Sequence, residues 1–375
     1  MKKKELGQER KQRKDPYSVS RRPASQRLLV WLGALAIILL LAVLVLFGLQ
    51  KGWGKAIFPD SSLAESEGRE SFDFTTSSSA TEAITEEATS AATSRPKTVA
   101  SSSKKALSSR LYPNFDPESV ASLAYCLLDA ETGEVLATKE AEKALEPASL
   151  CKIMTAMLVL EHYTDLSASI EVCEDDLAEL AEMGASVAGL PAGTFVSVED
   201  ILYAIMLPSG ADACHAAARA IAGSQEAFVE LMNQKARDLG MTHTHFTNPT
   251  GLPDPELYST AADMARLMAF ACKDPQFVRI AGSNYHEIAG LGENGEPLGL
   301  VSTFFWKFNS SPDFQGIRLL AGKSGFTGLY QSQASYFEKG RKRYILVTLG
   351  AYTEDPGSHQ AVEDHILIMN QLIWN

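Results

Sequence analysis

Hydrophobic and polar positions are arranged in three distinct ways along the chain, and each predicts a different kind of segment. Residues 28–49 (LLVWLGALAIILLLAVLVLFGL) are apolar and uncharged throughout. As a helix this run extends about 33 Å, enough for the roughly 30 Å of hydrocarbon in a bilayer. Residues 59–110 show no apolar period. Ser, Thr, Ala and Glu dominate there, and such a stretch buries too little surface to offset the entropy of ordering it. From about Leu111 onward the pattern becomes that of a folded domain. Residues 124–130 and 135–138 read as strands around a Glu131-Thr-Gly-Glu134 turn. Residues 149–162 are rich in helix formers and apolar almost throughout, which predicts a buried helix starting at or near Ser149. Residues 200–207, 211–222, 226–239 and 260–271 carry helical spacing, with a break at Pro208-Ser209-Gly210. Strands return at 317–321, 333–337 and 343–349, with Lys339-Gly340 turning between the last two, and 360–372 closes as a helix. A hairpin at one end, strands at the other and helices between them predict an α+β fold. One antiparallel sheet holds the strands of both termini and is flanked by helices as an α/β sandwich.

Charge sharpens the first division. The net charge is −12, which excludes a nucleic-acid binder working through a general basic surface. Residues 1–50 nevertheless hold ten Lys and Arg against three Asp and Glu, and all ten bases precede the apolar run. The positive-inside bias therefore predicts a cytoplasmic N-terminus, a single membrane span, and everything after Lys51 outside. The alternative is a cleaved signal peptide, but the apolar run is longer than the usual 7–15 residues and continues into Gln50-Lys51-Gly52-Trp53 rather than a small-residue cleavage site. The expected organisation is a basic tail (1–27), a membrane anchor (28–50), a disordered stalk (51–110) and one domain carrying the chemistry (111–375). Five cysteines, Cys126, Cys151, Cys173, Cys214 and Cys272, are widely spaced with no CxxC pair, so neither a zinc site nor a dense disulfide framework is predicted.

Ser149-Leu-Cys-Lys152 places a hydroxyl and an amine at i and i+3, neighbours on a helical face. Near a helix N-terminus the macrodipole opposes a positive charge, and burial opposes it further, so Lys152 is a candidate base for Ser149. Alone, the spacing arises often by chance, as a capping Ser beside a surface Lys. Here Ile153, Met154, Ala156, Met157 and Leu158 make a surface lysine hard to arrange. Ser209-Gly210 falls in a break between two helical patterns, where a loop presents a hydroxyl. Gly322-Lys323-Ser324-Gly325-Phe326-Thr327 follows an apolar strand, where glycines let a ligand lie close to a sheet edge. His243 and His245 form an H-x-H pair without a third ligand at motif distance, which favours structural histidines over a metal site. No Walker loop and no dinucleotide-binding fingerprint occur.

These three features come in the order S-x-x-K, S-x-N, K-T-G, the set of the penicillin-interacting serine enzymes. Over about residues 115–375 the sequence resembles the D-alanyl-D-alanine carboxypeptidases, the low-molecular-weight penicillin-binding proteins of serine peptidase family S11. The stretches 147–156, 198–212, 244–252, 258–261 and 322–327 all look like the family's signatures. The resemblance implies a β-lactamase/DD-peptidase-like fold and a domain at 111–375 that removes the terminal D-Ala from peptidoglycan pentapeptide stems and is acylated by β-lactams. It implies Ser149 as nucleophile, Lys152 as its general base and Ser209 as proton relay to the departing D-Ala. The N–H groups of Ser149 and Phe326 would form the oxyanion hole, with Lys323, Ser324, Gly325 and Thr327 binding substrate. No metal or organic cofactor is required. The location implied is the bacterial cell membrane, with the catalytic domain on the extracytoplasmic side.

Two positions depart from the family pattern. Ala211 stands where the third residue of the middle motif is usually Asn, so a carboxamide expected to hold the substrate's acyl side and steady Lys152 is missing. Ser324 replaces the usual Thr and keeps the hydroxyl. Two further readings accompany the carboxypeptidase: a wall-binding regulator that lost turnover through Ala211, and a β-lactamase, which would need a glutamate-bearing loop that the sequence does not display. Cys151, next to Lys152, is expected to face the core, since nothing near it in sequence lowers a thiol pKa.

Overall fold

Strand β1 (Ala124–Asp129) is buried along its whole length, and the two sets of side chains it sends in opposite directions define two cores. Ala124, Cys126 and Leu128 enter one, and Tyr125 and Leu127 enter the other, as the period of two requires. The computed structural model describes residues 115–308, 313–314, 316–354 and 358–372, and the expected tail, anchor and stalk lie outside them. Among the described residues no helix is long and apolar enough to cross a membrane.

After β1 the chain turns through Asp129, whose carboxylate accepts from the N–H groups of Glu131 and Thr132, into β2 (Val135–Lys139). A three-residue pair, β3 (Ser169–Glu171) with β4 (Phe195–Ser197), and a four-residue pair, β5 (Tyr285–Ile288) with β6 (Leu298–Val301), lie apart from the main sheet. The main sheet is completed by β7 (Asp313–Phe314), β8 (Ile317–Phe326), β9 (Tyr330–Lys339) and β10 (Lys342–Tyr352), in the order β2-β1-β10-β9-β8-β7. Every pairing is antiparallel, and β1 runs against β10 from Ala124↔Leu349 to Asp129↔Tyr344, so the strands of the two ends of the domain meet as expected. Among the described residues, two-residue β7 pairs with Ile317 and Arg318 of β8.

Among the described residues seven α-helices pack on one face: α1 (Lys152–His162), α2 (Glu174–Leu177), α3 (Val198–Met206), α4 (Ala211–Ala222), α5 (Gln225–Asp238), α6 (Ala261–Ala271) and α7 (Pro275–Ala281). Their starts follow from local chemistry. Ser197, Ser224 and Thr260 each accept a backbone N–H from the first turn of α3, α5 and α6, and Asp274 does so ahead of Pro275 in α7. Helix α1 runs through the middle of the first core, with Lys152 to Val159 all buried. On the opposite face α8 (Thr303–Lys307) and α9 (Gln360–Asn370) close the second core with Phe304, Phe305, Val362, Ile368 and Met369. Asp364 of α9 accepts from the N–H groups of Ala121 and Ser122 and from the Ser122 hydroxyl, fastening the chain's entry into β1 to the last helix.

Two local expectations are corrected. Ser149 does not begin an α-helix; it sits in a 3-10 turn, Ala148–Cys151, and α1 starts at Lys152. The Gly322–Phe326 motif does not follow a strand but forms the second half of β8, since its backbone pairs with β9 as far as Phe326↔Gln331. The short elements β3 to β7, α2, α7 and α8 carry too few residues to show a period and were not expected.

Candidate active site

The first motif is brought together as its spacing requires. Lys152 Nζ lies 3.1 Å from Ser149 Oγ and donates to the Thr250 carbonyl at 2.6 Å. Lys152 is 2% exposed, and burial holds its ammonium pKa below the ordinary lysine value despite the nearby Cys214, Cys151 and Asp212. A lysine so placed gives up its charge more readily than one in water, and its lone pair then faces the Ser149 hydroxyl. The Ser149 side chain is partly exposed, so a ligand can reach it.

The turn carrying Ser149 is shaped from two sides. Ala148 takes φ 53°, a left-handed conformation that costs an L-residue about 1–2 kcal/mol and persists only where its surroundings fix it. One support is the loop 248–252. Asn248 Oδ1 accepts from the N–H groups of Thr250, Gly251 and Leu252 and from the Thr250 hydroxyl. Thr155, one turn beyond Lys152, donates to Pro249 O, so α1 holds this loop at both Pro249 and Thr250. Gly251, at φ 76°, lies so close that a Cβ there would be 1.9 Å from Ala148 O. The other support is β8: a Cβ on Gly325 would be 2.9 Å from Ala148 Cβ and 3.2 Å from Ser149 N. Gly325 therefore lets β8 lie flush against the backbone of the Ser149 turn, with Phe326 next in the strand.

Lys323 is fully buried, its Nζ donating to Ser324 O at 2.9 Å. Burial and the neighbouring Lys152 and Lys307 push its pKa well below the ordinary lysine value. Ser324 Oγ is 3.0 Å from Thr303 Oγ1. Phe326 ends the strand with a side chain 40% exposed, and Thr327 enters the turn, its N–H donating to Tyr330 O.

Ser209 is 5% exposed and takes φ 69°, and its Oγ has no hydrogen-bond partner among the described residues. The structure thus presents the expected relay hydroxyl buried and unengaged, not bonded to Lys152 or Lys323. A buried hydroxyl left without a protein partner is costly. Ala211 is buried, and its N–H donates to Ser186 O. Asp212, next in the chain, is 1% exposed and accepts from the N–H groups of Ala188, Gly189, Leu190 and Ala213. It fastens the 186–190 loop to the start of α4.

Cys151 and Cys214 are fully buried and their thiols are pushed up to about 12 by burial, so both stay protonated beside Lys152. All five cysteines are free. His245 Nδ1 contacts Glu256 O, whereas His243 Nδ1 lies by Thr242 Oγ1 and the Glu142 carboxylate, so the two rings serve different neighbours. Sequence reasoning missed the Thr250 carbonyl, Asn248, Asp212 and Thr303. The Asn-Pro-Thr-Gly run of 248–251 carried a turn signal, but nothing in it announced the approach to Lys152.

A main antiparallel sheet between helical layers, with a serine–lysine pair in a turn packed against strand β8, is the arrangement of the DD-peptidase-like class. The D-alanyl-D-alanine carboxypeptidase family, peptidase S11, matches residues 113–353, and the chain belongs to it. Among its relatives, D-alanyl-D-alanine carboxypeptidase DacF of Bacillus subtilis is 34% identical over 232 residues, covering 60% of this chain and 57% of that one. D-alanyl-D-alanine carboxypeptidase DacC of Escherichia coli is 43% identical over 155 residues, 40% of this chain and 39% of that one. The chain thus spans only part of the length of these relatives. The Streptomyces K15 DD-transpeptidase superposes with a TM-score of 0.60 at 25% identity, covering 67% of this chain and 97% of its own.

Proposed function

We propose that the protein is a serine-type D-Ala-D-Ala carboxypeptidase that trims the terminal D-Ala from peptidoglycan pentapeptide stems through an acyl-enzyme, and that β-lactams acylate the same serine. The observation that carries this reading is the buried Lys152 Nζ, 3.1 Å from Ser149 Oγ, with burial favouring its neutral form. Lys152 takes the Ser149 proton as Oγ attacks the penultimate D-Ala carbonyl. The N–H groups of Ser149 and Phe326 receive the oxyanion, at the point where Gly325 presses on the nucleophile turn. Lys323 and Ser324 hold the substrate's terminal carboxylate, which supplies the counter-charge that burial denies Lys323, while Gly325 and Thr327 shape the strand edge along which the peptide lies. The unengaged Ser209 hydroxyl passes a proton to the leaving D-Ala. Water then releases the shortened stem. Segment 28–50 anchors the chain in the bacterial cell membrane, with the tail 1–27 in the cytoplasm and a stalk, 51–110, carrying the catalytic domain, 111–375, on the outer side. The ten bases ahead of the apolar run support that orientation.

The test is D-Ala release from diacetyl-Lys-D-Ala-D-Ala by the full-length chain, with Ser149→Ala alongside. Release that vanishes in the variant is expected, and no release from folded wild type would refute the carboxypeptidase. A second reading, a stem-binding regulator with impaired turnover, is favoured by Ala211 in place of the motif Asn. It predicts that Ala211→Asn raises release more than tenfold. Rapid hydrolysis of a chromogenic cephalosporin would instead point to a β-lactamase.

A further inference from the structure

Helix α8 is a five-residue element, yet it touches both sides of the proposed cleft through its first residue. Ser302 caps the helix by accepting from Phe305 N, and Phe304 and Phe305 are fully buried in the second core. A Cβ on Gly322 would be 2.2 Å from the Phe304 ring, so α8 lies flush against β8 one residue before Lys323. Thr303 is thereby fixed. Its N–H donates to Leu207 O at 2.9 Å, two residues before Ser209, and its Oγ1 is 3.2 Å from that same carbonyl and 3.0 Å from Ser324 Oγ.

The Thr303 hydroxyl has one proton and two acceptors within reach. If it donates to Leu207 O, Ser324 must donate to Thr303, and the Ser324 proton is then consumed inside the protein. If it donates to Ser324 Oγ, the Ser324 proton is free to point outward, and Leu207 O keeps the Thr303 N–H as its partner. Only the second arrangement offers a hydrogen bond to an anion. A carboxylate arriving at Ser324 selects it, giving a chain from Thr303 to Ser324 to carboxylate whose bonds polarise one another.

We infer that Thr303 is a positioning residue that aims the Ser324 hydroxyl at the substrate's terminal carboxylate, making a free carboxylate the feature the cleft selects. This rests on the carboxypeptidase reading, in which Ser324 meets that group. Thr303→Val keeps the backbone tie to Leu207 O and the side-chain shape but removes the hydroxyl, and Thr303→Ser restores it.

The experiment compares full-length wild type, Thr303→Val, Thr303→Ser and Ser324→Ala on diacetyl-Lys-D-Ala-D-Ala and on the same peptide with its C-terminus amidated, and measures acylation by a fluorescent penicillin. For Thr303→Val we expect KM for the free acid to rise about tenfold with kcat changed less than threefold, the size of one lost hydrogen bond in a charge-assisted chain. Its activity on the amide should match wild type, Thr303→Ser should lie within twofold of wild type, and adding Thr303→Val to Ser324→Ala should cost nothing further. Equal KM in wild type and Thr303→Val, or equal losses on acid and amide, overturns the inference while leaving the carboxypeptidase reading intact. Wild type that neither releases D-Ala nor is acylated overturns both. Should Val at 303 prevent folding, Thr303→Ala against Thr303→Ser makes the same comparison.

Discussion

Gly251→Ala tests whether the loop 248–252 shapes the nucleophile turn. The added Cβ would stand 1.9 Å from Ala148 O, 2.4 Å from Ala148 C and 3.0 Å from Ser149 N, all backbone atoms that no rotamer change can clear. Real Cβ contacts do not come under 3.0 Å, so loop and turn must part by about 1.1 Å. Residue 251 also holds φ 76°, which adds about 1–2 kcal/mol for an alanine. The separation pulls Thr250 O from Lys152 Nζ and shifts Ser149 N, which in the proposed mechanism position the base and one oxyanion donor. A misplacement near 1 Å costs on the order of a hundredfold in rate. The assay is the second-order acylation rate with a fluorescent penicillin, paired with thermal melting. The control is Gly240→Ala, where φ is 68° but nothing lies within 4 Å of the new Cβ, so it carries the conformational penalty without the collision. We expect Gly251→Ala to acylate about a hundredfold more slowly and Gly240→Ala to lose only stability. Acylation by Gly251→Ala within threefold of wild type would refute the claim that this loop sets the Ser149 turn.

Because burial lowers the Lys152 pKa, acylation should fall as pH drops and its ammonium is retained, and rise towards alkaline pH; the rate constant measured between pH 5 and 10 gives the inflection, which must lie below the ordinary lysine value. His365 is completely buried, with its pKa pushed down to about 3 from 6.5, so the unfolded chain binds a proton in that window that the folded one does not. Stability should therefore be full above about pH 6.5 and fall progressively as pH drops below it towards the folded-state pKa. Urea unfolding at pH 7 and pH 4.5 should show a steeper acid loss in wild type than in His365→Gln, and parallel slopes would dismiss His365 as the cause. Asp212→Asn turns one of two acceptor oxygens into a donor facing backbone N–H groups, and should release the 186–190 loop at a cost of about 2–3 kcal/mol, read as faster amide exchange at Ala188, Gly189 and Leu190.

What the sequence revealed and what it hid divide along range. The Ser149–Lys152 pair was legible because i and i+3 are neighbours in any helical turn, so the contact survived even though the turn around Ser149 is 3-10 and not α. Strand β10 was legible because Tyr344 to Leu349 is an almost unbroken apolar run, whereas β9 (YQSQASYFEK) is mostly polar and showed only its 333–337 portion. Thr303 was not legible, because its meaning lies in two contacts, to Leu207 and Ser324, that are 96 and 21 residues away and are made by a helix too short to show a period. Gly251 had a visible turn context, but a glycine needed for a positive φ and a glycine needed for a 1.9 Å approach look alike until the partner backbone is placed. The middle motif joins these cases. Ser209 stood out in sequence as a hydroxyl at a break between helices, and the structure adds that it is held in a left-handed conformation with no partner. Neither property favours folding. Helix α4 could begin as well with a relaxed residue there, so the local packing of α4 does not account for this conformation, and the relay role proposed for Ser209 does.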